Sequence, residues 1–104
     1  MNKDALHKYV LEVAAKSPCT KRKVGCVIVE YYTVQDGETT YKVSAEGFNY
    51  HPDLGAKCEL PNGDTDPMVI HAEVAACQAF KNAPAPERPI SGFKVFVTHP
   101  PCAN

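Results

Sequence analysis

The sequence predicts an α/β fold, with helices packed on a sheet, from three observations. The pattern of elements runs helix, hairpin, helix, strand. The second helix lies between strand segments, the signature of a crossover that returns the chain to the sheet. Proline and glycine clusters punctuate the chain between these elements.

Residues 3–16 place Leu6, Tyr9, Val10, Val13 and Ala14 near one helical face. Ser17-Pro18 ends this helix, because proline disfavours the helical conformation of the residue before it. Residues 23–32 form a continuous β-branched and aromatic run, which predicts a buried strand. Gln35-Asp36-Gly37-Glu38 supplies a turn, and residues 39–48 complete a hairpin. Residues 49–68 read as a long loop with Pro52, Gly55, Pro61 and Pro67, and loops of that length are often functional. A second helix is predicted from Met68 to Asn82, with Ile70, Val74, Cys77 and Gln78 near one face. Pro84, Pro86 and Pro89 stiffen the connector to a strand at residues 93–97, and Thr98–Asn104 form the loop after it.

The 104 residues make a single domain, with 44% hydrophobic and 22% charged residues, ordinary for a globular protein. No apolar run reaches the length of a membrane span, and the N-terminus does not read as a signal peptide, so the expected compartment is cytoplasmic. A formal net charge of −1 argues against a broad nucleic-acid-binding surface. It likewise disfavours editing of a polynucleotide, which needs a positive channel for the strand. Lys21-Arg22-Lys23 is the one basic cluster. The five cysteines, 19, 26, 58, 77 and 102, are read as reduced thiols or metal ligands rather than a disulfide framework. Cys26 and Cys77, set among small apolar residues, are expected to be buried.

The chemistry resides in His71-Ala72-Glu73 and Pro101-Cys102. A helix start and a loop after a strand can face the same end of a sheet, bringing His71 and Cys102 onto one metal. Imidazole and thiolate suit zinc, and a catalytic zinc keeps three protein ligands plus a water. The ion lowers the pKa of that water to about 7, and a carboxylate that is not a ligand, Glu73, can carry the proton. His-x-Glu followed by Pro-Cys is the pattern of zinc deaminases.

At this point the chain resembles the deoxycytidylate deaminase branch of the cytidine deaminase-like superfamily. Four segments carry the resemblance: Ser17-Pro18-Cys19-Thr20 with Lys23–Val29, Gly47-Phe48-Asn49, Ile70–Ala76, and Phe96–Cys102. It implies a three-layer α/β/α arrangement with a mixed sheet, its C-terminal part missing. It also implies Zn2+ held by His71 and Cys102, with a third ligand expected just after Asn104, and Glu73 as the proton shuttle. Asn49 would contact the sugar of the substrate, and the backbone at Ala72 would lie near the pyrimidine ring. The reaction implied is hydrolytic deamination of dCMP to dUMP with release of ammonia. Some members of the branch carry a second, structural zinc, for which Cys19, His51 and Cys58 are the candidates. The missing third ligand leaves a second reading open, an inactive remnant or a subunit that completes a deaminase-fold complex. The expected partners are a small nucleotide and a second copy or a complementing polypeptide, with no membrane.

Overall fold

The structure, a computed structural model, describes residues 1–33, 37–53 and 55–98. It contains α1 (Lys3–Ala15), β1 (Gly25–Thr33), β2 (Thr39–Phe48), α2 (Ala72–Lys81) and β3 (Gly92–Val97). The strands lie in the order β2-β1-β3. Both flanking strands run antiparallel to β1, so β2 and β3 are parallel to each other, with β1 between them. The crossover through α2 therefore delivers β3 to the far side of β1, and every hydrogen-bonded pair of the described sheet is antiparallel.

The central position of β1 explains its unbroken apolar run, since a strand covered on both faces has no solvent side. Its residues alternate between two cores. Val27 and Val29 join Leu6, Val10, Val13 and Tyr41 under α1. Cys26 and Ile28 join Ala45, Ala72 and Ala76 under α2. The result is one helix on each face of the sheet. The register between β1 and β2 shifts after Ile28, where Ala45 pairs with Ile28 but Val43 pairs with Val29. Skipping Ser44 moves every later β2 side chain to the opposite face. That is how Val43 and Tyr41 reach the α1 core although they share sequence parity with Ala45, which lies in the α2 core.

Asn2 caps α1, its side chain accepting from the Ala5 N–H at 2.8 Å. On the other side of the same helix, Tyr9 donates a hydrogen bond to Glu46 and Lys16 pairs with that carboxylate at 2.9 Å. Burial pushes the Glu46 carboxyl up, but the hydrogen bonds from Tyr9 and Lys16 outweigh it and hold the group below its ordinary value. The same bond, with burial behind it, pushes the Tyr9 phenol up to about 12.

Two glycines set the layer spacing. A Cβ at Gly25 would lie 2.5 Å from the Ala14 nitrogen, and one at Gly47 would lie 2.7 Å from the Ala72 carbonyl and against the Ala76 nitrogen. The helix backbones rest directly on the strands there. This approach corrects the predicted apolar face of α2. Ala72 and Ala76 face the sheet, whereas Val74 and Cys77 are exposed. Only the smallest side chains fit between a helix and a strand this close. Cys26 is buried as expected.

Gly47→Ala should cost about 1–3 kcal/mol, the scale of core overpacking, read by chemical denaturation. Glu46→Gln should lower stability at neutral pH and flatten its acid limb. A carboxyl whose folded pKa lies below the unfolded one stabilises above the ordinary glutamate pKa and loses that contribution as pH falls through the folded value. An unchanged acid limb in a pH series of denaturation midpoints would remove Glu46 from that role.

Candidate active site

The site is built where three strands and α2 meet. Gly47, Cys26 and Val97 stand side by side across β2, β1 and β3. One residue beyond, Thr98 extends the ladder. Its N–H donates to the Gly25 carbonyl, and its hydroxyl accepts from the Gly25 N–H, both at 3.0 Å. The end of β3 is thus fixed over the start of β1. The start of α2 rests on Gly47 in the same row. Burial, and behind it the charge of Glu73, pushes the Cys26 thiol up to about 11.

His71 occupies the N-cap of α2 in an extended conformation, with φ −74° and ψ 152°. It lies just outside the helix, and Glu73 falls in the first turn. The predicted start at Met68 is too early, for two reasons. Ile70 exchanges backbone hydrogen bonds with Tyr50, at 2.7 and 3.1 Å, and that bridge holds it extended. Val69 is buried against Cys19 and Cys58. The His71 side chain does not cap the helix and makes no hydrogen bond among the described residues. Its imidazole is therefore uncommitted at the edge of an open cleft of about 1040 Å³.

The segment after α1 lines that cleft with Lys21 and Arg22, and the 49–68 loop lines it with Glu59, Asp64 and Asp66 among others. Lys21 bridges the two, its Nζ donating to the Gly63 carbonyl at 3.2 Å. The cleft thus carries cationic and acidic side chains together, with His71 in its lining.

Ala72 is buried, its carbonyl resting on Gly47 of β2. Asn49 is also buried. Its Oδ1 accepts from the Val24 N–H and its Nδ2 donates to the Arg22 carbonyl, both at 2.8 Å. Cys102 lies outside the described residues. Among the described residues, no three His, Cys, Asp or Glu side chains gather at a metal-binding distance. The donor chemistry fits zinc: an imidazole with no hydrogen bond among the described residues stands at a cleft, with a carboxylate two residues on that makes no ion pair among them.

The expectation of a second metal at Cys19, His51 and Cys58 is corrected, as is that of reduced loop thiols. Cys19 and Cys58 are joined by a disulfide, and a sulfur bonded to another sulfur is not a thiolate donor. His51 is spent as well. Its Nδ1 accepts from the Asp53 N–H at 3.0 Å, and its Nε2 lies 3.3 Å from the Asp66 carboxylate. These contacts fold the 49–68 loop back on itself, and the disulfide ties it to the segment after α1. Composition gave no sign of this pairing; Ser17-Pro18, which sends the chain towards Asn49 through the Ser17 hydroxyl, is the nearest sequence signal.

Reducing the Cys19–Cys58 bond, or replacing both residues with Ser, should cost about 3–4 kcal/mol for a cross-link closing 39 residues. Thermal melts with and without a dithiol measure it. A wild-type melt indifferent to dithiol would show that the bond does not support the loop.

Comparison with known proteins places these features in a family. The profile of the cytidine and deoxycytidylate deaminase zinc-binding region matches residues 1–104. The fold resembles the crystal structure of a dCMP deaminase from the cyanophage S-TIM5 in complex with dCMP and dUMP. That chain is 29% identical, the match covers 98% of this chain and 70% of that one, and the TM-score is 0.65. The apo form of that deaminase matches at 27% identity, over 96% of this chain and 67% of that one, with a TM-score of 0.61. No curated protein sequence matches. Among the described residues, no helix is long and apolar enough to cross a membrane.

Proposed function

We propose that this chain, which belongs to the family of cytidine and deoxycytidylate deaminases, performs the hydrolytic deamination of a pyrimidine nucleotide, with dCMP the substrate. The reaction is dCMP plus water giving dUMP plus ammonia. The observation that carries this reading is that the start of α2 and the end of β3 meet on one row of the sheet, beside a cleft lined by His71, Lys21 and Arg22.

His71 and Cys102 would hold zinc, which supplies an activated water when bound. Glu73 would move both protons of the attacking water, one to N3 of the ring and one to the departing amine, so that C4 exchanges nitrogen for oxygen and ammonia leaves neutral. The first-turn N–H groups of α2 have no helical acceptor, so backbone donors are available at this end of the helix. Lys21 and Arg22 are suited to the 5′ phosphate, since both carry fixed positive charge and Arg offers a planar fork of donors. The acidic residues that also line the cleft, Glu59, Asp64 and Asp66, disfavour a phosphate beside them.

Support also comes from the solved dCMP deaminase that the fold resembles, which is a complex with dCMP and dUMP. The test joins zinc content to ammonia release. The purified chain should hold stoichiometric zinc and release ammonia from dCMP. Glu73→Gln should keep the metal and lose about a hundredfold or more in turnover, the usual scale of general acid–base catalysis. A chain with neither zinc nor turnover would be the non-catalytic remnant or subunit, and turnover retained by Glu73→Gln would remove Glu73 from the proton path.

A further inference from the structure

We propose that Glu59 and Asp64 restrict the cleft to nucleoside monophosphates, by repelling the further phosphates of a di- or triphosphate. The inference deepens the nucleotide reading above and rests on its placement of the phosphate at Lys21 and Arg22.

Size does not make this selection. An open cleft of about 1040 Å³ is large for a small-molecule site, so volume alone does not exclude a longer phosphate tail. Charge does. Among the described residues, Lys21 and Arg22 are the only Lys or Arg in the lining. Their two positive charges match one phosphomonoester, which carries about −1.5 to −2 at neutral pH. A second phosphate adds negative charge and meets no third cation. It meets carboxylates instead. The Lys21 Nζ lies 3.2 Å from the Gly63 carbonyl, and Asp64 is the next residue. That bond goes to a neutral oxygen, so the lysine keeps its charge for a phosphate. Glu59 and Asp64 keep theirs too, since neither forms an ion pair among the described residues. The backbone that carries them is fixed as a tight hairpin. The Gly63 N–H donates to the Leu60 carbonyl at 2.8 Å, and the Leu60 N–H to the Asp64 carbonyl at 2.7 Å. Glu59 and Thr65 are bridged, and the Asp66 N–H donates to the Cys58 carbonyl at 2.8 Å. Gly63 has φ 91°, the left-handed position that such a hairpin turn demands. Asp66 lines the same cleft, but its carboxylate is engaged by the Met68 N–H and His51, so the filter falls to the other two.

The test is calorimetric binding of deoxycytidine, dCMP and dCTP to the full chain carrying Glu73→Gln, which spares the ligand from turnover. No divalent cation is added. Of the three ligands, dCMP should bind most tightly, and dCTP about tenfold or more weaker, the scale of like charges juxtaposed at a binding site. Adding Glu59→Gln and Asp64→Asn should tighten dCTP about tenfold and dCMP by less. The effect sought is a gain, which a misfolded variant does not produce. The preference for dCMP over dCTP should also shrink between about 0.1 and 1 M salt, where the screening length falls from about 10 to 3 Å. This arm needs neither substitution. A chain that binds dCTP as tightly as dCMP would overturn the proposal. So would a preference indifferent to salt, or a doubly neutralised chain that binds dCMP but gains nothing for dCTP. Deoxycytidine bound as tightly as dCMP would overturn the phosphate reading itself, and this proposal with it; the other failures leave the preference for dCMP over deoxycytidine intact.

Discussion

The close approach of α2 to β2 at Gly47 is the constraint on which the rest depends. A helix that rests its backbone on a strand leaves room only for Ala72 and Ala76 between them. Its first turn is then fixed against the sheet rather than held off by a layer of large side chains. Because Gly47 stands beside Cys26, and Cys26 beside Val97, the same contact sets where the start of α2 lies relative to the end of β3. A deaminase site needs its proton carrier and its metal ligands within a few ångströms of one another. Here the backbone sets the start of α2 beside the end of β3 before any side chain is considered.

The mouth of the cleft is organised differently. It has little regular structure and is held by side chains acting on backbone. Asn49 and Ser17 fasten the segment after α1, and His51 and Asp66 fold the 49–68 loop. The Cys19–Cys58 bond and the Lys21–Gly63 contact join the two. This division of labour suits an enzyme that must keep its reacting groups rigid while a nucleotide enters and leaves past loops.

Much of this architecture is legible in the residues, and the exceptions have physical causes. The run Val24–Val29 announces a buried strand because β1 is central and covered on both faces, so burial and pattern agree. The α2 face misleads because hydrophobic periodicity assumes that large apolar residues face inward, an assumption that fails where Gly47 admits backbone. The end of β2 follows an unpredicted register because a one-residue bulge at Ser44 leaves no mark in composition. His71 and Glu73 are legible as a pair, since their chemistry is local. Asn49 is legible as a site residue, but its partners are not, for they come from a segment 25 and 27 residues earlier in the chain. The cysteine pairing is the clearest miss. Spacing carries no information on which loops a fold brings together, and Cys19 and Cys58 meet only because Val69 and the bridge at Ile70 draw the second loop across the first.

The proposed function depends on His71 and Cys102 holding a single ion. Cobalt(II) substitution tests this most directly, because a thiolate ligand gives the ion a charge-transfer band in its absorption spectrum. Titration of the full chain with cobalt(II) should produce that band, and both Cys102→Ser and His71→Ala should abolish it or weaken binding sharply. A band that survives both substitutions, or one that depends instead on Cys26 or Cys77, would contradict the account.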